Sequence, residues 1–538
     1  MLRRIVVTSL LAFALACERE TPQPPAPAAA PPPKAEPAPR DGGRIVRRLE
    51  TDPETLNYVR HSTEDEHLVL TMIYDPIVEL DQNLNPAPGL AARWEVLDEG
   101  RTFVFHLDPR ATFSDGTPVR ASDVVFTLHK ILDEESMQYA SLFAALDREK
   151  TKAIDERTVS VSFKEVRAGQ LLAFNLGVMP EHVYGKGDFG KNRAVIGSGP
   201  YVLKSRQPGR SILLARRDDY WRAKPRIAEI LFRILPDDAV TWKALESGQI
   251  DVGRITNDTW FRVKDDPKIQ EKLAFHNVWL FAYNAVAWNL GDPLFADARV
   301  RRALAMAFDR NAVIEQLYHG QARAVTGPFV PDTWAANPKV TPVEHNLKGA
   351  AAILSSAGWR DTNGDAVLDR DGRDFAFTML IVAGNKPSAD HAQIFQDSLR
   401  RLGVKMEVRP VDGAAYGEQV FARNFQAAYV AWVNDPDPNP RSLFHSKALP
   451  PDGMNVVGYN NPKADELIER GERELDPTRR QELYQHLHEV IASDQPYLFT
   501  VQSSTKWATN RRVQNVRTAR GLGLFHWYPG PLDWWLSK

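Results

Sequence analysis

The stretch that decides the fold runs from residue 90 to residue 126. Its four blocks are LAARWE (residues 90–95), TFVFHL (102–107), ATFSDGTPV (111–119) and ASDVVF (121–126). The second block alternates apolar and polar residues, which predicts a strand. Asp115 and Gly116 predict a turn, and Asp123 suits the positively polarised start of a helix over residues 121–132. This order of strand, turn and helix indicates a mixed α/β protein.

The same alternation of strands and helices continues on both sides of this stretch. Short alternating runs predict strands at residues 43–49, 158–163, 403–408 and 497–502, and amphipathic patterns predict helices at 300–318, 391–402 and 477–491. No internal repeat of 20–50 residues interrupts the pattern. A length of 538 residues is compatible with three or four domains or lobes.

The overall composition is that of an ordinary soluble protein. Hydrophobic residues make up 43% and charged residues 25% of the chain, and the formal net charge is −2. Such values exclude a polytopic membrane protein and a fibrous repeat, and they provide no global field that would attract nucleic acid. The one cysteine, Cys17, excludes an intramolecular disulfide framework and a cysteine-based zinc site.

The first 17 residues form a targeting segment. Arg3 and Arg4 precede an apolar run over residues 5–16, which is too short for a membrane-spanning helix. Small residues end the run directly before Cys17, so the segment resembles a bacterial lipobox, in which the cysteine is acylated and becomes the new N-terminus. The alternative is an ordinary secretory signal followed by an incidental buried cysteine. We expect the body to lie outside the cytoplasm, facing the periplasm or the cell exterior.

A proline- and alanine-rich spacer follows the cysteine. Residues 18–41 contain nine prolines and six alanines and show no apolar periodicity. This composition predicts a semi-extended linker that reaches on the order of 70 Å at about 3.1 Å per residue. A lipid anchor with such a spacer would keep a globular body near a membrane.

No catalytic constellation is visible in the sequence. There is no Gly-X-Ser-X-Gly motif, no phosphate-binding Gly-Lys-Ser/Thr loop and no His-Glu-X-X-His pair. Residues 361–369 place oxygen side chains in the order of a calcium loop, but Ala366 and Gly372 stand where a glycine and a glutamate are needed, which favours a polar turn. We therefore expect no enzyme activity, no cofactor and no metal site.

Several ordered segments resemble the family 5 extracellular solute-binding proteins, the dipeptide- and oligopeptide-binding components of ABC importers. The tryptophan, strand, Asp-Gly turn and Asp-started helix of residues 90–126 match the pattern of that family most specifically. Further matches are MPEHV (179–183), GSGPY (197–201), FADARVRRAL (295–304), YNNPKAD (459–465) and DQPY (494–497). The resemblance covers roughly residues 42–538.

The resemblance implies an α/β fold of the hinged, type II-like periplasmic-binding-protein kind, with two lobes and an extra domain inserted in lobe I. We expect lobe I to comprise residues 42–75, 195–278 and 497–538, the inserted domain residues 76–194, and lobe II residues 279–496. Such proteins close around a ligand by a hinge motion.

The resemblance also implies candidate ligand-binding residues in lobe II. In peptide-binding members a tryptophan followed three residues later by aspartate anchors the ammonium group of the ligand, and Trp432 and Asp435 match that spacing. Asp437 competes with Asp435, because alternating prolines leave the register uncertain by two residues. Asn434 lies between them. The alternative for both carboxylates is a polar loop at the edge of a lobe.

Other candidate residues lie where the chain is expected to border the cleft. Trp288 and Asn289 fall near the crossing between lobes, and Ser62 and Thr63 follow the first strand. Lys386 lies in a segment that loosely matches the arginine-bearing loop of dipeptide binders and is the candidate for a ligand carboxylate. The absence of the arginine itself argues against strict dipeptide selectivity.

The resemblance implies a monomeric, lipid-anchored receptor that delivers short peptides to the permease subunits of an ABC transporter, without a nucleic-acid partner. A second reading keeps the fold but changes the cargo to a nickel complex, haem, an opine or an oligosaccharide. A third reading, a periplasmic hydrolase, needs a nucleophile and base that the sequence does not display. A role in presenting ligand to a membrane sensor also stays open.

Overall fold

The computed structural model describes residues 39–331, 333–522, 525–527 and 530–537. The predicted signal segment with Cys17 and most of the predicted spacer lie outside the described residues. Residues 39–538 form one unit, and its two main sheets are the organising features of the fold.

The strands follow the alternating and β-branched runs of the sequence. They are β1 (Arg44–Leu49), β2 (Val78–Leu80), β3 (Pro86–Pro88), β4 (Ala91–Leu97), β5 (Thr102–Leu107), β6 (Lys152–Ala153), β7 (Thr158–Ser162), β8 (Tyr201–Gln207), β9 (Ser211–Arg216), β10 (Glu229–Ile234), β11 (Val252–Ile255), β12 (Leu273–Trp279), β13 (Ala282–Trp288), β14 (Arg323–Ala324), β15 (Asp369–Arg370), β16 (Arg373–Asp374), β17 (Ala376–Val382), β18 (Lys405–Val411), β19 (Ala427–Val433), β20 (Tyr497–Phe499), β21 (Val501–Gln502), β22 (Ser504–Asn510), β23 (Val513–Gln514), β24 (Thr518–Leu522), β25 (Phe525–Trp527) and β26 (Trp535–Leu536).

Most helices begin at an Asp, Asn or Thr whose side chain accepts a hydrogen bond from the first turn. They are α1 (Glu64–Leu70), α2 (Ala121–Asp133), α3 (Glu181–Tyr184), α4 (Asp238–Glu246), α5 (Asn257–Val263), α6 (Pro267–Gln270), α7 (Ala298–Ala307), α8 (Arg310–Ala312), α9 (Leu347–Ser356), α10 (Lys386–Arg401), α11 (Gly413–Phe421), α12 (Arg441–Phe444), α13 (Pro462–Arg473) and α14 (Pro477–Asp494).

Lobe I is built on a seven-stranded mixed sheet, with the strand order β12-β22-β11-β1-β10-β9-β8. The first strand, β1, runs parallel to both β10 and β11, whereas β22 pairs antiparallel with β11 and β12. Strands from distant parts of the chain therefore share one sheet. We use the name lobe I for this sheet and the elements packed on it.

The stretch from residue 90 to residue 126 folds as predicted. Strands β4, β5, β7 and β6 form a four-stranded antiparallel sheet, and α2 packs against its β6 and β7 strands. Phe103 and Phe105 of β5 pack against Phe174 beneath this sheet. These elements lie between β1 and β8 in the chain, and we refer to residues 76–194 as the inserted region.

Lobe II is built on a five-stranded sheet, with the order β18-β17-β19-β13-β20. The lobe II name covers this sheet and the helices α7–α14 around it. Because β20 pairs antiparallel with β13, residues Tyr497–Phe499 belong to this sheet. The predicted start of the last lobe I segment at residue 497 is therefore wrong, and the chain re-enters the lobe I sheet only at β22.

Two short connections cross between the sheets. Residues 280–281 join β12 of lobe I to β13 of lobe II, and residue 503 joins β21 to β22. The side-chain amide of Gln502 donates a hydrogen bond of 2.6 Å to the carbonyl oxygen of Leu280, which ties the two connections together. Paired crossings of this kind are suited to act as a hinge.

The predicted single helix over residues 300–318 is wrong. Helix α7 ends at Ala307, because Phe308 adopts an extended backbone (φ −79°, ψ 113°), and Asp309 begins the short helix α8 through its side chain. A π-helical turn over Val313–Leu317 follows. The apolar periodicity predicted helical residues but did not reveal the break.

Two tryptophans near the C-terminus belong to a hydrophobic core. Trp527 and Trp534 are buried, and their rings meet at 5.7 Å between centroids, while Trp507 contacts Trp527 at 5.5 Å. Tyr528 lies outside the described residues.

Candidate functional site

A cavity of about 1020 Å³ opens between the inserted region, lobe I and lobe II. The inserted region contributes Leu84, Ala168, Gly169, Leu171 and Leu172 to its lining. Trp279 and Phe281 line it next to the chain crossing, and Trp334, Pro436, Asp437 and Arg480 line it from lobe II. Its walls therefore combine aromatic surface with a few charged groups, as is common for ligand-binding cavities.

A second cavity, of about 480 Å³, lies at the junction of the two main sheets. Trp432, Ala431 and Tyr429 of β19 line it together with Asn385 and Ser388 at the start of α10. Asn257, Ser503 and Ser504 line it from lobe I and the crossing. The end of β19 thus leads from this cavity to the Pro436–Asp437 wall of the first.

The end of β19 has one edge that no strand of the described residues covers. Strand β13 pairs with β19 along its whole length, but β17 pairs with it only at Ala427 and Ala428. Beyond that point Ala431, Val433 and Asp435 are exposed, and Val433 is 67% exposed. An uncovered strand edge of this kind can accept an added extended chain through backbone hydrogen bonds.

The two candidate carboxylates have different environments. Asp437 accepts hydrogen bonds from both terminal nitrogens of Arg480, at 2.7 and 2.9 Å. Asp435 accepts no hydrogen bond from any described residue and remains accessible to solvent. Protein atoms around it reduce its hydration and raise the pKa of Asp435, an effect that Arg167 partly offsets and Asp437 increases. Of the two, only Asp435 has its carboxylate oxygens available.

The side chain of Asn434 forms hydrogen bonds within lobe II. Its amide nitrogen donates a hydrogen bond of 3.1 Å to the carbonyl oxygen of Pro328, and its side-chain oxygen accepts one of 3.4 Å from the backbone of Val330. These bonds attach the end of β19 to the 328–330 loop. The predicted ligand contact of Asn434 would have to compete with them.

Trp432 is half-buried beside the second cavity. It stands opposite Tyr283 in the β13–β19 ladder and packs against the lobe II core. Trp432 therefore contributes both to the wall of that cavity and to the packing of the lobe II core.

The predicted cleft positions of Trp288 and Asn289 are wrong. Trp288 is 0% exposed and stacks on Phe295 at 4.9 Å between ring centroids, inside the lobe II core. The amide of Asn289 donates hydrogen bonds to the carbonyl oxygens of Arg423 and Phe425, at 3.1 and 2.9 Å. Both residues stabilise the far end of β13, because the crossing into lobe II occurs at the opposite end of that strand.

Ser62 and Thr63 begin helix α1. The hydroxyl of Thr63 accepts a hydrogen bond from the backbone of Glu66, and the Glu66 carboxylate accepts bonds from the backbone nitrogens of Ser62 and Thr63. Thr63 also lines a cavity of about 210 Å³ in lobe I, together with Arg254 and Glu50. Ser62 does not line that cavity.

Lys386 is the first residue of α10. Its side chain is 79% exposed and forms an ion pair of 2.5 Å with Asp390, one turn later in the helix. The neighbouring residues Asn385 and Pro387 line the second cavity, whereas Lys386 is not among its lining residues. Its role toward a ligand carboxylate stays a prediction.

The cavity also contains residues that the sequence did not single out. Arg480 is stacked on Trp334, with its guanidinium carbon 4.9 Å from the ring centroid, and it pairs with Asp437 across 43 residues of sequence. Arg167 and Gly169 approach lobe II from the inserted region. Because each partner lies far away in the chain, no local pattern pointed to these residues.

Comparison with known proteins decides the family. The family model described as bacterial extracellular solute-binding proteins, family 5, matches residues 85–451. The chain belongs to this family. The oligopeptide-binding protein AppA of Bacillus subtilis is 28% identical over 521 residues, which covers 93% of each chain. The nickel-binding periplasmic protein of Escherichia coli is 23% identical over 453 residues, or 81% of this chain and 84% of that protein.

A solved structure of a family 5 protein has the same fold. The structure of AppA from Bacillus subtilis in complex with a nonapeptide aligns with a TM-score of 0.75 at 26% identity and covers 93% of this chain and 100% of AppA. The prediction of a two-lobed α/β solute-binding fold is confirmed. As a family 5 protein, the chain is a substrate-binding protein of the ABC-importer type, with an extracellular or periplasmic location.

The described helices and the described metal-ligating side chains complete the description of the fold. Among the described helices, none is long and apolar enough to cross a membrane. No cluster of three or more His, Cys, Asp and Glu side chains that could hold a metal ion occurs in the part of the chain that the structure describes. In the calcium-like loop, Asp361 accepts backbone hydrogen bonds from Gly364 and Ala366, at 2.7 and 3.0 Å, as expected for a polar turn.

Proposed function

We propose that this protein is a lipid-anchored receptor that captures short peptides between its lobes and delivers them to the permease subunits of an ABC transporter. The observation that carries the proposal is the contrast between the two carboxylates of the loop that follows β19. Arg480 occupies both oxygens of Asp437, whereas the oxygens of Asp435 accept no hydrogen bond from a described residue.

Asp435 is suited to bind the terminal ammonium group of a peptide. The surrounding protein raises the pKa of this carboxylate by desolvation, so a cation placed beside it would recover the electrostatic stabilisation that water does not supply there. In the closed cleft an ammonium group without a carboxylate partner would be costly, so the pair would favour a ligand that carries such a group.

The uncovered edge of β19 supports an extended peptide as cargo. A peptide whose first residue lies at Asp435 could run along Val433 and Ala431, with its backbone bonded to the strand. Backbone hydrogen bonds form with any peptide sequence. Selectivity for particular peptide side chains would therefore depend on the shape of the surrounding cavity. The volume of about 1020 Å³ is at the upper end of the range for small-molecule sites, which suits an oligopeptide.

A relative with a different cargo gives the second candidate function. The Escherichia coli relative is named as nickel-binding, so a metal complex or another non-peptide solute could occupy the same cleft. In this chain no described cluster of His, Cys, Asp and Glu would hold a bare metal ion. A metal would therefore enter with its own chelator, and its retention would not require the charge of Asp435.

Native mass spectrometry tests the proposal. The full chain carrying Cys17→Ser is analysed as purified, and its cargo is then released under denaturing conditions. We expect a ladder of short peptides, and we expect Asp435→Asn to reduce occupancy about tenfold to a hundredfold, the value of a charge-assisted hydrogen bond.

Asp371→Asn is the matched control, because that carboxylate is 91% exposed in the β15–β16 turn. It should leave the peptide ladder unchanged. A single non-peptide mass that Asp435→Asn retains would overturn the assigned cargo and the assigned site together.

A further inference from the structure

A five-residue segment of the inserted region, residues 165–169, docks on lobe II next to the first cavity. The backbone nitrogen of Ala168 donates a hydrogen bond of 2.8 Å to the carbonyl oxygen of Glu472 in α13. The charge of Glu165 acts on Arg441, and the charge of Arg167 acts on Asp435. Successive residues of one segment therefore meet lobe II, so the structure has the cleft closed at this point.

Gly169 makes the tightest approach in this segment. A Cβ atom built on Gly169 would overlap the carboxylate of Asp437 and would lie 3.1 Å from the Asp437 Cβ. The backbone of Gly169 has φ −84° and ψ 8°, a conformation that any L-residue adopts. The carboxylate of Asp437, and not backbone strain, therefore explains why this position has no side chain.

Asp437 cannot move aside easily. Both of its oxygens are bonded to Arg480, and the two side chains are only 12% and 11% exposed. Arg480 is itself fixed, since its Nε donates to the carbonyl oxygen of Gly471 at 3.0 Å and its guanidinium carbon lies 4.9 Å from the Trp334 ring and 5.2 Å from the Tyr484 ring. The contact surface that Gly169 meets is thus rigid.

We propose that Gly169 is a positioning residue for lobe closure, and that the Asp437–Arg480 pair is the fixed surface on which it closes. A side chain at residue 169 would stop the inserted region from reaching lobe II and would leave the cavity open beside Asp435. The proposal depends on the hinged fold alone and not on the identity of the cargo.

Gly169→Ala should therefore separate closure from folding. The variant retains an ordinary backbone conformation, so each lobe folds as before, and removing a glycine lowers the entropy of the unfolded chain slightly. Only the closed arrangement is penalised, because only there does a side chain at residue 169 meet Asp437.

Hydrogen–deuterium exchange at the Ala168 amide tests the proposal without any ligand. This amide is protected only while it donates to Glu472, so its exchange rate reports the closed population. We expect exchange to be at least about tenfold faster in Gly169→Ala than in the parent chain with Cys17→Ser. Gly413→Ala is the matched control, because a Cβ there meets no atom within 4 Å.

A second substitution distinguishes a steric cause from misfolding. Asp437→Gly removes both the carboxylate and the Cβ that face residue 169, so Gly169→Ala/Asp437→Gly should recover the slow exchange of the Asp437→Gly single variant. Unchanged exchange in Gly169→Ala, absence of protection in the parent chain, or a double variant as fast as Gly169→Ala would each overturn the proposal.

Discussion

Arg480 binds both carboxylate oxygens of Asp437, two residues after Asp435 on the same loop. The pair is nearly buried, and its arginine is stacked on two aromatic rings. One carboxylate of the loop is thus held by an arginine, whereas the other accepts no hydrogen bond from a described residue. Pro436 lies between the two aspartates, and Pro438 follows Asp437.

The two carboxylates should respond differently to removal of their charge. Asp437→Asn breaks a nearly buried ion pair and leaves Arg480 uncompensated, so we expect the free energy of unfolding to fall by about 3 kcal/mol. Asp435→Asn should leave it unchanged or slightly higher, because that carboxylate is desolvated without a hydrogen-bond partner among the described residues. Urea unfolding at neutral pH measures both, and equal losses would contradict this distinction.

The approach of Gly169 to Asp437 predicts an engineered disulfide. The two Cβ positions lie 3.1 Å apart, slightly below the usual range of about 3.5–4.5 Å. Gly169→Cys/Asp437→Cys in the Cys17→Ser background has no other cysteine, so we expect an intramolecular disulfide under mild oxidation. Non-reducing electrophoresis and peptide mapping detect it. Two thiols that both remain free would show that the inserted region does not reach lobe II.

His488 should make stability depend on pH. Burial lowers the pKa of this histidine to about 4, and its Nδ1 accepts a hydrogen bond from the backbone of Asn337. The unfolded chain binds a proton near pH 6.5 and the folded chain does not, so stability falls as pH decreases from about 6.5 toward 4. At pH 5 the loss is about 2 kcal/mol.

His488→Gln removes this contribution, so its destabilisation relative to the parent should be about 2 kcal/mol smaller at pH 5 than at pH 7. Burial also lowers the pKa values of His276 and His391 to about 4, so these histidines likewise reduce stability as the pH falls. Burial raises the pKa values of Glu64 and Asp75 to about 7, so these carboxyl groups increase stability as the pH falls. All four groups are present in both the parent and the His488→Gln variant, so their contributions cancel when the two stabilities are compared. Parallel stability curves from pH 7 to pH 5 would contradict the prediction.

The proposed anchor depends on Cys17. In cell fractionation, Cys17→Ser should move the protein from the membrane fraction to the soluble fraction, because the variant lacks the thiol to which the proposed acyl chains would be attached. Ser9→Ala in the same segment is the control and should keep the protein with the membrane. Membrane association that survives Cys17→Ser would exclude the lipid anchor.

Local sequence patterns predicted the elements of the fold well. Strand β5 and helix α2 occur where alternation and apolar periodicity predicted them. Each element has one apolar and one polar face, and a few consecutive residues are enough to show that pattern. The break after Ala307 was missed, because Asp309 continues the polar pattern of one helix while starting another. The strand β20 was assigned to the wrong lobe, because its partner β13 lies about 200 residues earlier in the chain.

The site was predicted less completely. The spacing of the family motif pointed to Trp432 and Asp435. Trp432 lines the second cavity, whereas Asp435 directly precedes Pro436 of the first cavity wall and does not itself line either cavity. Trp288 packs in the lobe II core, and Asn289 bonds to a neighbouring loop. Neither contact could be inferred from the sequence, which shows only a tryptophan next to an asparagine near the expected crossing. Arg480 and Gly169 were not identified at all.

The sequence by itself determined the α/β class, the family and the loop that carries the candidate anchor, since each depends on residues close together in the chain. Only the tertiary structure decided which carboxylate of that loop is available and which glycine permits closure. The physical reason is that atoms within a few ångströms decide whether a charge is neutralised and whether a side chain fits. For Asp437 those atoms belong to Arg480 and to Gly169, which the chain brings together only when it folds.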